Sequence, residues 1–193
     1  MISTMDWQVI RLSDVRPTPW KNGGGTTREL IAWPQTKLNA QDWTWRASVA
    51  DVNQSGPFSS FPGVQRWFAV LSGDGVRLAV DGQMHELRKI DPPLCFDGAA
   101  QTGCELLGGA TQDFNLMVRG GASAHVQRVS GDLMLMINAP KVIALYAINT
   151  PATLRFGTQK YELEPHSFGC MAVQLQTELH VQASDALFME IAL

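Results

Sequence analysis

Apolar and polar positions along this chain alternate in short runs bounded by turns. Trp45-Arg46-Ala47-Ser48-Val49 puts Trp45, Ala47 and Val49 on one face and Arg46 and Ser48 on the other, which is the period of a strand. Trp67 to Leu71 is a continuous apolar run, as expected of a strand buried on both faces, and it stops at Ser72-Gly73-Asp74-Gly75. Val76, Leu78 and Val80 then alternate up to Asp81-Gly82, and a second short strand runs from Met84 to Leu87. Asp-Gly between two such runs predicts a hairpin, because a type I′ turn needs positive φ at both central residues. The later chain repeats the style at Leu133 to Ile137, Val142 to Ile148, Thr153 to Phe156, Lys160 to Leu163, Met171 to Leu175, Glu178 to Val181 and Leu187 to Ile191. Short strands at this spacing predict an all-β sandwich or barrel. No stretch keeps a 3.6-residue period, and Gln35 to Trp43 offers at most one helical turn.

Composition narrows the class. The chain has 193 residues, of which 45% are hydrophobic and 17% charged, so it is globular and not disordered. A net charge of −3, with basic residues scattered, excludes a phosphate-neutralising nucleic-acid grip. No run approaches the length of a membrane-spanning helix, and the first residues carry neither the basic nor the apolar segment of a signal peptide. Cys95, Cys104 and Cys170 lack paired spacing and read as buried reduced thiols of a cytoplasmic protein. All six tryptophans lie within the first 67 residues, which places the functional detail in the first part of the chain. Residues 1–120 are expected to form one barrel with the pocket, and residues 121–193 a smaller, plainer β half.

Four stretches carry candidate chemistry. Trp20-Lys21-Asn22-Gly23-Gly24-Gly25 is either a strand-to-strand turn with a bulge or a nest of backbone N–H groups for an anion. Arg66 opens the apolar strand at Trp67; a guanidinium there needs an internal acid, carbonyls or a bound anion. Asp97 precedes Gly98, the signature of a turn. Asp113, Asn115 and Met117 share one strand face, which is either solvated or lines a wet cavity. His85, His125, His166 and His180 show no metal-ligand spacing, and there is no nucleophile elbow or motif-placed carboxylate pair.

These strings resemble the HutD/Ves family of bacterial cupin-fold proteins, through WKNGGGTTREL at 20–30, WRASVADV at 45–52, GPFSSFPGVQRWFAVLSG at 56–73, FDG at 96–98 and DFNLMVRGG at 113–121. The resemblance implies a cupin-type, RmlC-like jelly-roll barrel with a second cupin-like sheet, a compact bicupin. Metal-binding cupins carry HxHxxxE before a glycine turn and a further His later. Aligned on Gly73, those positions hold Ser60, Pro62, Arg66 and Asp97 here. A fixed cation stands where a carboxylate ligand would be, so no metal or other cofactor is expected.

The expectation is a metal-independent pocket for a small carboxylate. Arg66 is its anchor and Arg46 a second charge. Asn22, Ser48 and Asn115 are polar contacts, Asp97 orients Arg66, and Trp20, Phe58 and Phe96 form apolar walls. The family implies a soluble cytoplasmic regulator or sensor linked to histidine utilisation or stress. Two alternatives remain at this stage. One is a metal-free isomerase or hydrolase acting on a small acidic metabolite with Asp97, Asp113 or Glu29 as base. The other is an assembly protein, a homodimer through its sheet edges, with a vestigial pocket.

Overall fold

The computed structural model describes residues 6–34, 42–174 and 177–193. Among them are seventeen strands and one short 3-10 turn, Leu12–Asp14. The chain divides into a central unit, Val15–Gly121, and a terminal unit made of residues 6–14 with Ala122–Leu193. The segment 35–41, which holds most of the one stretch with room for a helical turn, lies outside the described residues.

The central unit holds two sheets. Six strands, β2 (Thr18–Pro19), β3 (Gly25–Trp33), β4 (Trp45–Val52), β6 (Val64–Ser72), β9 (Leu94–Asp97) and β11 (Thr111–Arg119), pair antiparallel in the order β2-β3-β4-β11-β6-β9. Four strands, β5 (Gly56–Pro57), β7 (Val76–Val80), β8 (Gln83–Leu87) and β10 (Thr102–Leu106), form the second in the order β5-β10-β7-β8. Phe68, Val70 and Phe96 of the first sheet pack with Val76, Leu78, Leu87 and Cys104 of the second, so the sheets face each other across one apolar layer. The six-stranded sheet is buried on both faces. Trp45, Ala47, Val49 and Leu116 are fully buried on one, and Phe68 and Arg66 nearly so on the other. That explains the unbroken apolar run at Trp67 to Leu71. Asp81 and Gly82 both take positive φ, 46° and 82°, as the hairpin reading requires.

The terminal unit is built around β17 (Thr177–Ala192). One side of β17 pairs with β12 (Ser123–Ile137) along its length. The other side pairs first with β14 (Ala152–Phe156) and then with β13 (Lys141–Ala147). The sheet is extended by β15 (Gln159–Leu163) beyond β14, and by β16 (Ser167–Val173) and β1 (Gln8–Arg11) beyond β13. The single long strand replaces the two short ones expected at Glu178 to Val181 and Leu187 to Ile191. Between them the register with β12 shifts: Ser184 and Asp185 stand opposite the single Ser130, a bulge in β17 through which the strand continues, next to Gly131 at φ 105°. The N-terminal strand β1 pairs with β16, so its chain position says nothing about its sheet. Cys104 and Cys170 are buried free thiols, and burial pushes both up to about 12. Cys95, expected inside, is exposed.

Candidate functional site

The inner face of the six-stranded sheet carries polar rows among apolar ones. Antiparallel register sets Arg66, Met117 and Arg46 side by side on β6, β11 and β4, and places Phe68, Asn115 and Ser48 in the next row. Together with residues of the loop Trp20–Asn22 and the segment Pro57–Phe61, these side chains line a cavity of about 520 Å³. Cavities of this size bind small molecules.

Arg66 is the centre of it. The side chain is only 5% exposed. Its Nη2 donates to Asn115 Oδ1 at 2.9 Å, and its Nη1 reaches the Ser59 carbonyl at a long 3.4 Å. Nε has no acceptor. The guanidinium carbon sits 5.3 Å from the Phe58 ring centre, 5.5 Å from Phe61 and 5.1 Å from Phe96. Three aromatic faces are attractive for a cation, but they cannot replace a counter-charge. Burial, and after it the positive charge of Arg46, together lower the Arg66 pKa to about 10. At neutral pH both arginines are charged and repel each other. Arg46 Nε lies 2.7 Å from Glu29 Oε2, close enough for an ion pair, but its N–H does not point at that oxygen.

The loop from Trp20 to Gly25 forms the wall opposite. Gly23 N–H donates to the Trp20 carbonyl at 3.0 Å, closing a turn with Lys21 and Asn22 at its centre. Asn22 Oδ1 accepts the Gly24 N–H at 3.0 Å, and Trp20 Nε1 donates to Thr27 Oγ1 at 2.7 Å. A Cβ on Gly25 would fall 2.3 Å from the Asp51 carbonyl, so close strand approach requires glycine there. The glycine string is therefore a turn between β2 and β3, with a register shift further along β3 between Glu29 and Ile31.

Of the residues expected at the site, Arg66, Arg46, Asn22, Ser48, Asn115, Trp20 and Phe58 all line this cavity. Phe96 touches it through the Arg66 cage. Asp97 is a correction. It is exposed, and its Oδ1 accepts the Ala99 N–H at 2.8 Å, so it closes its own turn and does not orient Arg66. Gly98 is squeezed between the Phe61 and Val64 carbonyls, which fixes that turn outside the pocket. Asp113 shares the strand face but is fully buried beyond the lining. Thr111 Oγ1 donates to its Oδ2 at 2.9 Å, and its Oδ1 has no partner. Burial, with a smaller push from the charge of Asp51 and against the Thr111 hydrogen bond, raises its pKa to about 7. Lys21, Ser59 and Phe61 also line the cavity and were not anticipated. Phe61 had a signal, the spacing Phe58-Ser59-Ser60-Phe61 just ahead of Arg66, and Lys21 sits between two residues that were named.

The donor set of a metal-binding cupin is not reproduced. Of Ser60, Pro62, Arg66 and Asp97, one is a buried cation and one an exposed turn residue. No group of three His, Cys, Asp or Glu side chains converges among the described residues. These residues do not fit a divalent ion.

Fold and site define the class: an all-β, cupin-type protein whose barrel presents a buried arginine to an internal cavity. The fold has solved counterparts such as an oxalate decarboxylase from Lactobacillus farciminis, 8% identical with a TM-score of 0.65 over 99% of this chain and 86% of that one. The model of the HutD family matches residues 12–189, and the chain belongs to that family. A Pseudomonas putida protein described as an uncharacterized 21.2 kDa protein in the hutC 3′ region is 46% identical over 110 residues, 57% of each chain. Protein Ves of Escherichia fergusonii is 35% identical over 55% of this chain and 56% of its own length. The chain thus aligns with little more than half of these curated relatives. Two solved structures match more fully. A conserved Pseudomonas aeruginosa protein of unknown function is 32% identical with a TM-score of 0.84, covering 97% of this chain and 100% of that one. HutD from Pseudomonas fluorescens, solved in a formate condition, is 31% identical with a TM-score of 0.80, covering 96% and 98%. No helix among the described residues is long and apolar enough to cross a membrane.

Proposed function

We propose that this protein binds a small carboxylate in the central unit without a metal, and serves as a sensor or regulator. One observation carries the reading: Arg66 is buried, charged, caged by three phenylalanines and without an acid partner, with Nε left undonated beside the cavity. A buried charge left unpaired is costly, and a bound carboxylate accepting from Nε and Nη would offset that cost. It would also relieve the repulsion between Arg66 and Arg46. The hut-region description of the Pseudomonas putida relative supports a ligand from the histidine-utilisation route. Binding is favoured over turnover because no Asp, Glu or His among the described residues lines the cavity to act as a base.

Titration calorimetry with acids of the histidine pathway tests this. At least one should bind the wild type, and Arg66→Ala should weaken it by about 2–5 kcal/mol, the loss expected when one partner of a buried charge pair is truncated. Absence of heat with every acid, or an unchanged affinity in the variant, overturns the proposal.

A further inference from the structure

We propose that Lys21, at the mouth of the cavity, is a second charge anchor, and that the ligand is a dianion, a small molecule with two carboxylates. This rests on reading the cavity as a carboxylate site. The cavity lining carries three cations, Lys21, Arg46 and Arg66, and no acid. Glu29 reaches only Arg46. Neither Arg66 nor Lys21 has an acid partner among the described residues. The two stand at different depths, since Arg66 is 5% exposed while Lys21 is exposed. A single carboxylate held by Arg66 would leave the positive charge at the mouth unanswered, whereas a diacid spanning the cavity answers both.

The mouth is also built to donate. The turn closed by Gly23 N–H on the Trp20 carbonyl fixes the backbone of Lys21 and Asn22 over the cavity. Asn22 spends its carbonyl oxygen on the Gly24 N–H, leaving its amide N–H groups for the ligand. Lys21 has only donors. An ammonium and an amide side by side, with no acceptor between them, suit a second carboxylate better than an amine or a neutral tail. Within the cavity, Ser48 on β4 adds a hydroxyl to the lining.

Glutarate and its monoamide, glutaramate, differ by one charge at nearly constant shape. Calorimetry of the pair against wild type, Lys21→Met and Lys21→Arg separates the two carboxylate positions. Wild type should bind glutarate about five-fold tighter, the size expected of one partly exposed ion pair, and the preference should shrink with added salt. Lys21→Met should bind the two equally, while Lys21→Arg should keep the preference. A wild type that does not distinguish them, or a preference that survives Lys21→Met, overturns the assignment of Lys21 and leaves the carboxylate site standing. Failure of glutarate to bind wild type overturns the dianion, while the titrations with Arg66→Ala decide the carboxylate site separately.

Discussion

The two units bury opposite kinds of interior. In the terminal unit the buried cluster runs through Ile137, Ile143, Leu145, Leu154, Val181 and Phe188, all apolar, and the polar atoms buried in that unit, on Ser167, Tyr146 and Thr150, lie outside the cluster. The central unit buries Ser48, Arg66, Thr102, Thr111, Asp113 and Asn115. Both are antiparallel β structures, so the strand architecture does not explain the difference. One interior is filled for stability. The other holds a cation, an acid and a cavity, each of which costs stability unless something offsets it.

The sharpest way to break this contrast is to open the filled interior. Phe188 is 1% exposed within the terminal cluster, and Phe188→Ala should cost about 3–5 kcal/mol in urea unfolding. A loss below about 1 kcal/mol would mean that this interior is not close-packed, and the contrast would fail.

Asp113 tests the other side. Its folded pKa of about 7 lies above its ordinary 3.8. Below pH 4 the carboxyl is protonated in both states and costs nothing. As the pH rises from 4 to 7, the unfolded chain releases the proton before the folded one. Stability therefore falls through that window and levels off above it, by a few kcal/mol at most. Asp113→Asn keeps the shape without the titration, so the urea midpoint difference, variant minus wild type, should grow from pH 4 to 7. A pH-independent difference would show that Asp113 does not carry this cost.

Much of this contrast was legible in the sequence. The alternation of Trp45 to Val49 gave the strand and its two faces, and Arg66 stood out as a cation at the edge of an apolar run. Register then did what local sequence cannot: it set Arg46 beside Arg66 across β11, through Met117. The aromatic cage was only half legible, because which rings converge on a guanidinium depends on loops whose paths local propensity does not determine. Asp97 was misread because a count of positions carries no information about direction, and the tight packing of Gly98 turns the carboxylate outward. Strand β17 was split in two because Ser184 and Asp185 are polar and interrupt the apolar pattern, yet they form a bulge through which one long strand continues.

The smallest expected effect is also the one that separates function from folding. Replacing Arg66 by Met keeps an unbranched chain of similar volume in the phenylalanine cage and removes the charge. The guanidinium loses water on burial, faces Arg46 and has no acid to offset either cost. The substitution forfeits the hydrogen bond to Asn115, whose oxygen still borders the cavity and can be hydrated, the long one to the Ser59 carbonyl, and the attraction of three ring faces for a cation, while Met keeps the apolar contact with those rings. The balance favours the variant, so Arg66→Met should be as stable as the wild type or up to about 2 kcal/mol more stable by urea unfolding, while losing carboxylate binding. If Arg66 were a structural prop, removing it would destabilise the central unit as a core deletion does, and a loss of about 2 kcal/mol or more would assign it to the scaffold and not to the ligand.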